Sequence, residues 1–149
     1  MVVRGVVLSF FCLLMLLSSS VQANENAILG KWLSSEKNLM VEVYKQGTDF
    51  KARVIWFYDV KDTITPIDQR FDKRNPDKAL RAQKLLGLDV LKHLVYDTKE
   101  NKWTDGKIYD STTGKIWDAS VWLASSKILK VRGYCYFQLL GKTMTFTRV

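Results

Sequence analysis

Four groups of residues in this 149-residue chain are of the types that do chemistry. His93 and Cys135 are the candidates for nucleophilic attack, which needs a thiol in contact with an activating base. Cys135 alternates with Val131, Gly133 and Phe137 and so reads as a core or barrel-interior residue, and His93 lies among Leu91, Lys92 and Leu94 with no local acid. An active Cys–His pair is not expected. Paired carboxylates do the acid–base work of glycoside hydrolysis, but here the Asp and Glu residues are scattered through predicted turns, where carboxylates are usually solvated. Asp105-Gly106 and Asp110 to Gly114 offer oxygens of the kind calcium needs. No closing Glu follows, so they read as turns. A zinc site lacks ligands, and no metal or cofactor is expected. Finally, Asn75-Pro76-Asp77 with Arg81 could line a binding mouth, with Arg81 pairing an anionic ligand group. The competing reading is a capped helix whose Arg81 pairs with Asp77 four residues away, or is held by Asp72.

Aromatic residues add a second set. Trp32, Trp56, Trp103, Trp117 and Trp122 can line an apolar pocket or simply suit strands. Trp56 and Trp117 fall on the apolar faces of their predicted strands and are cavity candidates; Trp122 falls on the opposite face. Arg132 and Tyr134 lie in the register opposite Leu129, Val131 and Gly133, hence outside a barrel whose apolar face is inside, but inside one that reverses this polarity. The ligand-binding candidates are therefore Asp72, Asn75, Arg81, Trp56, Tyr109, Trp117, Arg132 and Tyr134.

The elements that must position these residues follow from periodicity. Leu39, Val41 and Val43 alternate with Asn38, Met40, Glu42 and Tyr44; after the turn Lys45-Gln46-Gly47-Thr48, so do Phe50, Ala52, Val54 and Trp56 with Lys51, Arg53 and Ile55. Period two predicts strands, and the pair predicts a hairpin. The pattern breaks from Asp59 to Gly87. There Asn75-Pro76-Asp77 is a helix start, with a helix of two or three turns expected over Lys78 to Lys84 and a stop at Gly87. Strand signals resume over Leu88 to Tyr96, Lys107 to Asp110, Trp117 to Leu123, Leu129 to Phe137 and Thr143 to Val149. Met144, Phe146 and Arg148 share a face in the last. About eight strands with frequent turns predict an all-β fold: a small antiparallel barrel or sandwich with one short helical insertion. Closure of a meander would remove its exposed edges.

The chain begins with an expected secretory leader. Arg4 precedes the apolar run Val6 to Leu17, which is too short for a stable bilayer span; Ser18 to Ser20 break it, and Val21-Gln22-Ala23 suits a signal peptidase. Phe10 and Phe11 before Cys12 disfavour lipidation. Cleavage after Ala23 would leave residues 24–149 as a single domain of 126 residues with a net charge of +7 and one cysteine. The expected location is the periplasm or the medium, with no membrane-spanning segment left after cleavage. At 47% hydrophobic and 26% charged residues, the composition excludes intrinsic disorder and a polytopic membrane protein, and two cysteines exclude a disulfide scaffold. The basic residues are spread rather than clustered, and a solvated basic surface is the default reading. An anionic envelope component is the partner such a charge could serve, and no nucleic-acid motif is present.

Gly30-x-Trp32 at the domain start, with Arg148 near its end, resembles the lipocalins and related calycin barrels. In those the Trp plugs one barrel end beneath an Arg, which implies Trp32 and Arg148 as a structural pair. The segments Asp72-Lys-Arg-Asn75-Pro76-Asp77-Lys-Ala-Leu-Arg81 with Leu86-Gly87, Trp103-Thr-Asp-Gly106-Lys-Ile108-Tyr109-Asp110 with Gly114-Lys115, and Leu129-Lys-Val-Arg132-Gly133-Tyr134 resemble a bacterial exported family, domain of unknown function 2147. Trp117, where Tyr is expected, and Cys135, where a small apolar residue is usual, depart from it. The resemblance implies a calycin-like barrel and supplies no substrate. The expected function is a non-catalytic binding protein for a small hydrophobic or amphipathic ligand held in the barrel. The alternatives are an envelope interaction module that binds a protein or anionic surface through Arg132, Tyr134 and Tyr136, and, third, a hydrolase using Asp72, His93 and Cys135.

Overall fold

The computed structural model describes residues 24–137 and 141–149; the expected leader lies outside the described residues. Eight strands follow one another: β1 (Gly30–Ser34), β2 (Leu39–Gln46), β3 (Asp49–Phe57), β4 (Asp89–Asp97), β5 (Lys102–Asp110), β6 (Lys115–Ser125), β7 (Ile128–Tyr134) and β8 (Lys142–Arg148). Each pairs antiparallel with the next, and β8 pairs with β1 through Trp32 opposite Arg148, so the sheet closes as a barrel. Closure leaves no edge strand among the described residues to pair with another chain.

The two-residue period decides which side chains enter. Val41, Val43, Ala52, Val54, Leu91, Ala119, Val121, Leu129, Val131 and Phe146 are buried, while their strand neighbours form ion pairs outside, such as Glu42 with Arg53 across β2 and β3 and Lys107 with Asp118 across β5 and β6. An apolar inside with a charged outside is the opposite of a barrel set in lipid. Two strands were only partly legible from periodicity. β1 is too short to show alternation, and β5 begins at Lys102 rather than Lys107 because a bulge breaks its pattern: Trp103 faces Val121 and Gly106 faces Ala119, leaving one extra residue on β5. Asp105 there has φ 60°. His93 on β4 (φ 63°) marks a second bulge, between the pairs Phe50–Leu94 and Ala52–Leu91. Such bulges bend and twist the strands so that the sheet can close. A Cβ on Gly106 would lie 2.6 Å from Leu94 Cδ2, so the bend also requires that Gly106 lack a side chain.

The expected helix is reduced to one 3-10 turn, Lys78–Leu80, capped by the Asp77 carboxylate accepting from the Ala79 N–H at 2.9 Å. The shortening follows from the backbone beyond it, which leaves the turn to pair antiparallel with the chain at Phe71, opposite Lys84. Arg81 does not pair with Asp77; its Nε donates to the Asn75 carbonyl at 2.7 Å. The rest of the 58–88 segment is a compact loop with a second 3-10 turn, Ile67–Gln69, tied by Asp72 N–H to Gln83 O and Leu85 N–H to Arg70 O.

Candidate functional site

Up-and-down connectivity places the turns β2–β3, β4–β5 and β6–β7 at one end of the barrel. The four loops β1–β2, β3–β4, β5–β6 and β7–β8 surround the other.

The first end is closed. Trp32 is fully buried, and its Nε1 donates to the Ile28 carbonyl at 2.8 Å, which holds the 3-10 turn Glu25–Ile28 beneath the barrel. Trp103 Nε1 fixes the start of that turn through Glu25 O at 3.0 Å. The Arg148 guanidinium lies 4.2 Å from the centroid of the Trp32 ring, within cation–π range. The same group donates to three carbonyls, Ala27 at 2.5 Å, Leu29 at 2.8 Å and Ser126 at 3.0 Å. Gly30 (φ 124°) begins β1 against this guanidinium; a Cβ there would lie 3.1 Å from Arg148 Nη1.

Above this plug a cavity of about 1500 Å³ runs from the barrel interior out through its open mouth. Its inner wall is apolar, with Val41, Val43, Ala52, Val131, Met144 and Phe146; nearer the mouth come Phe57, Ile108 and Trp117. Val41, Val43, Ala52 and Val131 are small and leave the axis unfilled at this level, whereas Phe50, Leu94 and Trp103 pack the barrel nearer the plug. The mouth is polar and mostly basic, with Lys61, Arg70, Lys73, Arg74 and Lys142 against Glu36, Asp59 and Asp110. Arg70 is engaged: it pairs with Asp59 at 2.8 Å and Asp62 at 3.4 Å and stacks over Phe57. Its hydrogen bond, first among the causes, holds the Asp59 carboxyl below its usual range.

The 58–88 loop roofs part of this mouth and is fastened from within. Asp72 is fully buried, and its carboxylate accepts from Asn75 Nδ2 at 2.8 Å and from the Tyr109 hydroxyl at 2.7 Å. Burial first, then the hydrogen bond to Asp72, pushes the Tyr109 phenol up to about 12. A second fastening joins the loop to the β5–β6 turn. Gly114 (φ 73°) sits so close to the Arg74 carbonyl that a Cβ would lie 2.2 Å from its oxygen. The turn itself is shaped by Asp110, which accepts from Thr112 N–H (2.9 Å), Thr112 Oγ1 (2.6 Å) and Thr113 Oγ1 (2.8 Å). Burial raises the Asp110 carboxyl, but these donors outweigh it and leave it below its usual range. That carboxylate closes a turn, as read from the sequence.

The predicted site residues are therefore divided. Tyr109, Trp117 and Tyr134 line the cavity. Asp72 and Asn75 are buried in the fastening beneath the loop rather than exposed to a ligand, and Arg81 holds the Asn75 carbonyl. Trp56 is turned outward and is 37% exposed. The bulge responsible lies where Met40 faces Trp56 but Val41 faces Val54, so Phe57 takes the inward place that simple alternation gives to Trp56. Arg132 lies outside, opposite Thr143, to whose hydroxyl it donates at 2.7 Å. Cys135 is not in the core but exposed at the cavity mouth, because β7 ends at Tyr134 and the alternation does not continue. His93 projects outward near Asp49, 3.4 Å away, and not toward Cys135. Sequence reading missed Phe57, Arg70 and Phe71 at the mouth. Only the break in alternation at Ile55 hinted at the first.

Residues 30–148 match a protein family described as uncharacterized and conserved in bacteria, DUF2147. Among solved structures, the chain is similar to protein HP1028 from the human pathogen Helicobacter pylori, described as belonging to the lipocalin family. The identity is 26%, the match covers 82% of each chain, and the TM-score is 0.68. No curated protein matches the chain significantly. The barrel is lipocalin-like in strand number, closure and its plugged end.

Proposed function

This chain belongs to the DUF2147 family, and we propose that it is an exported, non-catalytic binding protein that holds a small hydrophobic or amphipathic molecule inside its barrel. The observation that carries this reading is the 1500 Å³ cavity, closed at its inner end by the packed core around Trp32, Phe50, Leu94 and Trp103 and open at the other. Eight-stranded barrels are wide enough for one small ligand when side chains leave the axis free. Each Å² of apolar ligand surface removed from water by the Val, Leu and Phe wall contributes about 25 cal/mol. Polar groups at the mouth would then fix a head group, Lys73 and Arg74 from the roofing loop. Export rests on residues 1–23, whose short apolar run and small residues suit a cleaved leader.

The test is a native mass spectrum of the protein purified from the periplasm without detergent, beside a denatured spectrum and an organic extract. Excess mass that vanishes on denaturation, with a matching lipid-like species in the extract, is the expected result. A bare protein that also fails to bind any amphiphile on titration would overturn the reading. A retained leader would overturn the export part alone.

A further inference from the structure

We propose that the open end of the barrel is a docking surface for anionic lipid bilayers. Eleven large hydrophobic side chains are exposed among the described residues, and nine of them lie at this end. Tyr58, Val60, Ile64, Phe71 and Leu80 are on the β3–β4 loop, Tyr136 and Phe137 on the β7–β8 loop, and Trp56 and Ile116 at the adjoining strand ends. The extremes are also here, with Ile64 91% and Tyr136 87% exposed. Single exposed apolar residues are ordinary; a concentration of them at one pole of a small barrel marks an interaction site.

The charge at this pole selects the partner. Lys61, Lys73, Arg74 and Lys142 ring the mouth and form no ion pair among the described residues. Most of the nearby acids are engaged within the protein: Asp59 and Asp62 with Arg70, Asp72 with Asn75 and Tyr109, and Asp110 with Thr112 and Thr113. Glu36, which accepts from Asn38, and the exposed Asp68 remain, fewer than the four rim cations. Basic residues occur at both poles, but only the open one joins them to exposed tyrosines and aliphatics. That combination fits the interfacial layer of a bilayer, where aromatic and aliphatic side chains enter the head-group region and cations meet anionic lipids. Docked this way, the mouth of the cavity faces the lipid. The docking itself rests on surface residues and not on whether the barrel holds a ligand.

Vesicle co-sedimentation of the protein as its host processes it tests this. One vesicle set contains phosphatidylglycerol mixed with phosphatidylethanolamine, the other phosphatidylcholine alone. Binding to the first set, weakened by salt, and little to the second is expected. The pair Lys73→Gln and Arg74→Gln should lower partitioning about thirtyfold. Ile64→Ser with Tyr136→Ser should lower it comparably, and Val95→Ser with Lys99→Gln at the closed end should leave it unchanged. These positions are exposed, so the circular dichroism of every variant should match that of the parent. Equal binding to both vesicle sets, or equal loss from the closed-end variant, overturns the proposal. So does the absence of binding to any vesicle, which would hand the exposed rim to a protein partner. Amphiphile loading measured on the same samples separates this outcome from failure of the carrier reading.

Discussion

Arg148 ties three carbonyls and one indole face together at the closed end, so it should be the costliest single side chain outside the apolar core. Removing it as Arg148→Ala leaves the carbonyls of Ala27, Leu29 and Ser126 without their donor and removes the cation from Trp32. The expected loss is about 2–4 kcal/mol by urea unfolding. Arg148→Lys should recover only part of it, because an ammonium cannot reproduce the planar fork. Tyr109 offers a pH test at the same scale. Its phenol and that of Tyr44, which donates to Asp89 at 2.7 Å, are both raised to about 12 in the folded protein, by burial first and then by the carboxylate partner. In the unfolded chain they ionise near 10. A group raised by folding contributes stability that is fully present below its unfolded value and is lost as pH climbs through the folded one. Stability should therefore fall between about pH 10 and 12, and the double variant Tyr44→Phe, Tyr109→Phe should flatten that fall.

The elements show why some positions were legible in the sequence and others were not. Alternation in β2, β6 and the first half of β7 placed Val41, Val43, Ala119, Val121, Leu129 and Val131 inside, where they are found. It failed wherever a bulge or strand end intervened: at Trp56, one residue past the bulge in β3; at Cys135, just past the end of β7; and at the start of β5, hidden by the Asp105 bulge. Bulges are set by sheet closure, a property of the whole barrel that no local window contains. The roofing loop was illegible for a related reason. Asp72 and Asn75 have the types of ligand-binding residues, but Tyr109, 37 positions from Asp72, supplies the hydrogen bond that turns them into an internal fastening. Gly114→Ala tests that fastening at element scale. Its Cβ would strike the Arg74 carbonyl in a conformation that already strains any side chain. Hydrogen exchange should speed at Asp72 and Asn75 while the β6 and β7 amides stay protected. Unchanged exchange in the loop would show that the turn does not hold it.

For the whole molecule, the account is a barrel with two unlike poles, one sealed by Trp32, Arg148 and the 3-10 turn, the other open, basic and apolar at its rim. Its closed half is packed by Trp32, Phe50, Leu94 and Trp103, its open half is left unfilled, and the central claim is that this space is the binding site. Val131→Phe tests it, since Val131 is buried yet faces the cavity, and an added ring would enter free space rather than a packed core. The decisive measurement is a titration of the parent and of Val131→Phe with a fluorescent acyl-chain amphiphile, with thermal unfolding recorded for both. The account predicts saturable binding at one site per parent chain, at least about tenfold weaker in the variant, with melting temperatures within a few degrees. Equal affinity in the two proteins would place the ligand elsewhere and contradict it.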